Sequence, residues 1–159
     1  MGLSTYQSIE QQPEYWTAFK LSVKVQSSFK CENPVNNSES AHKFIRAVWD
    51  KGKLNKPEQM MAFFISMDKQ TISYHAAFMG TLDRTYGNPR YLLILALHTL
   101  ACSVILAHNH PSGSLAPLAS EISLTKRIGN TLDLIDVKVV DHLIINENAY
   151  LSMSDERFM

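Results

Sequence analysis

Apolar residues along this chain recur in two periods, and the switches between them outline the fold. From Phe19, Leu21, Val23 and Val25 alternate with Ser22, Lys24 and Gln26, the period-two pattern of a half-buried strand. After the loop "CENPVNNSES", Ala41, Phe44, Ile45, Val48 and Trp49 fall at helical spacing, with Ser38 or Ser40 as the N-cap and Gly52 as the stop. "MMAFFISMD" and "QTISYHAAFMG" read as two strands joined as a hairpin around "DKQ". "NPRYLLILALHTLA" opens at Pro89 and is apolar nearly all round, which predicts a buried helix. "CSVILA" predicts a buried strand, and "APLASEISLTKRIGNTL" an amphipathic helix with Pro117 in its first turn. "VKVVDHLIIN" is a further strand and "AYLSM" a short last one. Strands and helices interleave, so the expected class is α/β or α+β with a mixed central sheet. Residues 1–18 are polar and turn-rich and read as an N-terminal arm, partly disordered; residues 19–159 read as one domain.

Composition narrows the function classes. The chain has 159 residues, 45% hydrophobic and 19% charged, enough for one well-packed core. Fifteen basic and fifteen acidic residues cancel, which argues against a strong electrostatic grip on nucleic acid or an anionic membrane. Cys31 and Cys102 form neither a disulfide framework nor a Cys-rich metal site. No apolar run spans a bilayer, and the N-terminus lacks a signal-peptide pattern, so the expected compartment is the cytoplasm. A Gly-rich phosphate loop is missing, which leaves a nucleotide-binding reading without an anchor.

The chemistry concentrates in "VILAHNHPSGS", Val104 to Ser114. On an extended segment residues i and i+2 project to one side, so His108 and His110 aim two imidazoles at one spot while Asn109 faces away. Imidazole is a common zinc ligand, and a catalytic zinc usually takes three protein ligands and a water. Glu121, in the first turn of the following helix, is the candidate third ligand; equally, an acid there favours the helix dipole.

"ILAHNHPSG" followed by a Pro-started helix, and later "VVDHLIINENAYLS", resemble the RadC-like branch of the JAB/MPN metalloproteins. "MGT" after the second strand of the hairpin and "NPR" before the apolar helix add to the resemblance, which runs from about residue 20 to the C-terminus in a short form without an N-terminal helical domain. It implies an MPN/JAB, cytidine-deaminase-like mixed β-sheet flanked by helices. It also implies zinc held by two histidines and an acid, with a distant glutamate as general base and a serine supporting the oxyanion in amide or isopeptide hydrolysis. Carried over residue by residue, the histidines are His108 and His110, and the aspartate position holds Glu121, longer by one methylene or roughly 1.5 Å. The serine position holds Leu118, which cannot donate a hydrogen bond. The glutamate position aligns with Met60, which cannot take a proton. Glu58, two residues earlier, is the candidate replacement; its competing reading is a solvated acid in the loop "NKPEQ". Asp141 and His142 read as a structural pair, with orientation of a metal ligand as the alternative. His42, His75 and His98 read as lone histidines outside the site.

Three functions follow in order. The first is a zinc-dependent metallohydrolase acting on a peptide or protein tail. The second is a catalytically impaired MPN scaffold that binds a protein partner, to which the Met60 and Leu118 replacements point. The third, nucleic-acid association, rests on the family's DNA-repair name alone. No membrane partner is expected, and the apolar "MMAFF" strand is either core or a homodimer seam, with core the default.

Overall fold

A computed structural model describes residues 34–49, 52, 54, 58–79 and 89–159. The arm over residues 1–18 and the strand beginning at Phe19 lie outside the described residues. Helix α1 runs Ser38–Val48, followed by strands β1 (Gln59–Ile65) and β2 (Thr71–Met79). Helix α2 (Pro89–Thr99), strand β3 (Ser103–Asn109), helix α3 (Ala119–Leu132) and strands β4 (Lys138–Ile145) and β5 (Tyr150–Ser152) complete the order. Among the described residues the strands form one mixed sheet in the order β2-β1-β3-β4-β5, in which only the β3–β4 pair is parallel.

Both faces of the sheet are covered, which is why β1 and β3 are apolar on successive residues. Met60, Ala62 and Phe64 of β1 and Val104 and Leu106 of β3 pack with Leu92, Leu95, Ile128 and Leu132 from α2 and α3. Met61, Phe63, Ile65, Ile105, Ala107, Leu143 and Ile145 pack with Ala41 and Ile45 from α1. The "MMAFF" strand is therefore core. The α2/α3 face also carries His108, since it lies on the same side of β3 as Val104 and Leu106.

Three local expectations shift. Asn37 is the N-cap of α1: its Oδ1 accepts from the Ser40 amide at 2.8 Å, and Ser40 Oγ accepts from the Asn37 amide at 3.0 Å. A reciprocal pair satisfies two end amides where a single serine satisfies one. The same helix ends at Val48, with Trp49 extended and buried in the core, ahead of Gly52. Helix α2 is covered on one side only; Leu92, Leu95 and Ala96 are buried, while Tyr91, Ile94 and Leu97 face outward. It lies in an outer layer, where the sheet and α3 meet one side of the cylinder. Among the described residues, no helix is long and apolar enough to cross a membrane.

Candidate metal centre

The centre forms where β3 runs out of the sheet. Helix α3 begins at Ala119, two residues after Pro117, with Leu118 as its N-cap. Leu118 has no side-chain acceptor, so Glu121 at the third helical position takes over: its Oε2 accepts from the Leu118 amide at 2.7 Å. This capping bond fixes the carboxyl group and turns Oε1 toward the histidines, 3.0 Å from His110 Nε2 and 3.4 Å from His108 Nε2. The buried stripe of α3 is Glu121, Thr125, Ile128 and Leu132, so one helix face passes from the site into the core.

Each imidazole has one nitrogen committed elsewhere. The loop after β3 closes a turn in which the Gly113 amide donates to His110 O at 3.0 Å. Pro111 supplies the fixed φ of the first turn position, and Gly113 takes φ 81° to let the chain reverse. The reversal brings Ser114 O to 2.7 Å from His110 Nδ1. A carbonyl has no proton, so Nδ1 donates and Nε2 keeps a lone pair. Asn146 Nδ2 donates to Gly113 O at 2.8 Å, and Arg46 donates to Asn146 O and Glu147 O, so this loop is tied to α1 through the β4–β5 turn.

His108 is oriented by a longer relay. Its Nδ1 stands 2.7 Å from His142 Nε2, and His142 Nδ1 stands 2.6 Å from Thr125 Oγ1. Thr125 donates its hydroxyl proton to Glu121 O at 2.8 Å. The threonine oxygen therefore accepts from His142 Nδ1–H, His142 Nε2 accepts from His108 Nδ1–H, and His108 Nε2 carries a lone pair. Burial holds the His142 pKa well below the ordinary imidazole range, so His142 is neutral in this relay. Asp141 turns to the other face, accepting from Ser152 Oγ and the Ser154 and His142 amides. The adjacent Asp-His is thus two separate contacts, with His142 in the orienting role. The signals were the period-two alternation of β4 and the spacing of Thr125 four residues after Glu121.

Glu58 completes the group. Its carboxylate oxygen, His108, His110 and Glu121 present ligand atoms that all lie within 4.8 Å of one another. It directly precedes β1 and is half-buried, and its Oε1 is buried with no hydrogen-bond partner among the described residues. Met60 sits opposite His108 in the ladder with its side chain in the core. Leu118 is 57% exposed. Ser112, Ser114 and Ser120 are exposed, and Ser114 Oγ accepts from the Ala116 amide. His42 stacks on Tyr150, His75 meets Phe64 edge-on and His98 is exposed, all apart from the cluster.

The donor set fits a cation. His108 Nε2 and His110 Nε2 face one another at 2.9 Å, and the relays give both of them lone pairs, an arrangement that repels unless something positive lies between. Ligand atoms on one tetrahedral zinc stand roughly 3.3–3.6 Å apart, from bond lengths of about 2.0–2.2 Å, so shifts of a few tenths of an ångström seat an ion. Burial raises the Glu121 pKa; in the metal-free protein, with a proton in place of the ion at the Nε2 atoms, hydrogen bonds from His108, the Leu118 amide and His110, with the His108 charge, outweigh it and bring the group down to about 2. Glu121 is thus an ionised donor. Burial pushes the Glu58 carboxyl up, as does the Glu121 charge, against the opposing charges of His108 and His110.

The same shifts set an acid limit on the metal-free fold. Burial, with Arg46 beside it, lowers the His42 pKa, and burial lowers that of His75, as it does that of His142. Each is favoured neutral in the fold, while the unfolded chain takes up protons near pH about 6.5. Their contribution is therefore complete above that pH and is lost as pH falls through it. Urea titrations in EDTA are expected to give lower stability at pH 5.5 than at pH 7.5; equal or higher stability on acidification contradicts this.

Fold and site together define a three-layer α/β protein with a histidine–histidine–carboxylate centre at one end of its sheet. The chain belongs to the RadC-like JAB domain family, whose profile matches residues 35–158. A UPF0758 protein of Streptococcus agalactiae is 33% identical over 125 residues, 79% of this chain and 54% of its own length. The UPF0758 protein YkfG of Escherichia coli (strain K12) is 38% identical over 98 residues, 62% of each chain. One from Albidiferax ferrireducens is 41% identical over 101 residues, 63% of this chain and 43% of its own. The chain spans about half the length of the curated relatives it matches, 46% and 54% in two of them.

Proposed function

We propose that this chain is a zinc-dependent hydrolase of amide or isopeptide bonds, acting in the cytoplasm on a peptide or protein tail. His108, His110 and Glu121 hold the metal and Glu58 is the general base. The observation that carries the reading is the fourfold cluster itself, in which a carboxylate oxygen of half-buried Glu58 lies within 4.8 Å of three donors suited to one ion. Zinc supplies Lewis acidity, lowering the pKa of a coordinated water to about 7. The chain's own residues do the rest. His142 and Ser114 O hold the two imidazoles in the metal-binding tautomer. Glu121 keeps its negative charge across the working pH range. Glu58, with its proton affinity raised by burial, takes a proton at a carboxylate oxygen and returns it to the leaving amine.

Glu58→Gln separates binding from chemistry. The variant is expected to keep the zinc content of the wild type by elemental analysis. Turnover of an isopeptide-linked or peptide amide substrate is expected to fall by about 10²–10⁴, the usual worth of a general base. Unchanged turnover removes Glu58 from the mechanism, and loss of zinc makes it a ligand instead.

The second reading, a scaffold for a protein partner, draws on Leu118, an exposed apolar side chain at the position where the resemblance expects a serine. Under it, replacing both histidines leaves the biological effect intact.

A further inference from the structure

The middle residue of His-Asn-His works on the opposite side of β3 from its neighbours. Asn109 is fully buried, and its side chain meets two backbone groups of the segment leading into β1. Its Nδ2 donates to Leu54 O at 2.9 Å, and its Oδ1 accepts from the Gln59 amide at 2.7 Å. The Gln59 amide belongs to the same peptide plane as the Glu58 carbonyl. The β1–β3 ladder begins at Met60 opposite His108, so Glu58 lies beyond its last rung. Asn109 grips the chain on both sides of Glu58, four residues before it and one after.

We infer that Asn109 is a positioning residue that sets Glu58 against the His108–His110–Glu121 cluster through its bonds to Leu54 and Gln59. The inference rests on the reading of Glu58 as general base. Three consecutive residues then place both sides of the reaction: the outer two hold the metal on one face of β3, and the middle one holds the base from the other. Only an amide fits this duty, because the two backbone groups demand one donor and one acceptor from a single short side chain. Aspartate keeps the acceptor and loses the donor; leucine keeps the volume and loses both.

The test is a double-mutant cycle on cobalt-substituted protein, comparing wild type, Glu58→Gln, Asn109→Leu and the double variant. Cobalt affinity is expected to stay within about threefold throughout, since no ligand is touched. Glu58→Gln is expected to move the pH midpoint of the cobalt absorption band. Asn109→Leu moves it in the same direction and lowers kcat about 10- to 100-fold with KM little changed, in the range set by loss of a base. In the Glu58→Gln background Asn109→Leu adds nothing further. A full additional effect in that background, or no effect of Asn109→Leu in the wild type, overturns the positioning role and leaves the base reading standing. No effect of Glu58→Gln overturns the base reading itself. Hydrogen exchange gives a second readout: the Gln59 amide is expected to be protected in the wild type and, should Asn109→Leu fail to fold, to exchange faster in Asn109→Ala, which also lacks the acceptor. A freely exchanging Gln59 amide in the wild type also overturns the inference.

Discussion

The His108→Ala protein is expected to purify without zinc and to melt well below the wild type. Both effects have one cause, because His108 is at once a proposed ligand and a packed core side chain. Its side chain is fully buried and supplies the partner of His142 Nε2. Removing it leaves that nitrogen unsatisfied in the interior, a cost of about 1–3 kcal/mol. The vacated ring space adds a cavity penalty, bringing the total to about 3–5 kcal/mol. For a chain of this length that is a drop of roughly 6–20 °C in melting temperature. His110→Ala is expected to lose zinc equally and to lose less stability, since His110 lies at the rim and its Nδ1 partner is a loop carbonyl. Elemental analysis and calorimetry on the three proteins check this; zinc retained by His108→Ala contradicts the centre.

Leu118→Ser is expected to raise the hydrolytic rate on the order of 10²–10³, the usual worth of one oxyanion donor. Leu118 is the position that the family resemblance gives to the oxyanion serine, and it adjoins the centre because Glu121 bonds its amide. The replacement costs little packing, as the side chain is largely exposed and makes no cap bond. A serine N-cap adds about 0.5–1 kcal/mol to helix α3. Zinc content should not change. The same turnover assay used for Glu58→Gln reads the result. A rate no higher than the wild type's favours the scaffold reading.

Much of the site was legible along the chain because its signals are local. Alternation on a strand puts His108 and His110 on one side, and helical position puts Glu121 at the start of α3. Glu58 was not legible in the same way. It stands fifty residues before His108, and only the antiparallel register of β1 on β3, with Met60 opposite His108, carries it to the cluster. Read alone, "NKPEQ" is equally a solvated loop. The Asp141–His142 pair misled for the opposite reason: two adjacent residues look like one unit, while a strand sends them to opposite faces, Asp141 to Ser152 and His142 to His108.

The sequence by itself determined the interleaved α/β class, the buried strands and the histidine pair, since these depend on periods of a few residues and on side-chain chemistry. Tertiary structure alone decided that Glu58 joins Glu121 at the histidines, which nitrogen of each ring is free, and that Asn109 reaches back to the Glu58 segment. Those outcomes depend on strand register and on hydrogen-bond partners that, Ser114 O beside His110 excepted, lie tens of residues away and are chosen only when the sheet is assembled.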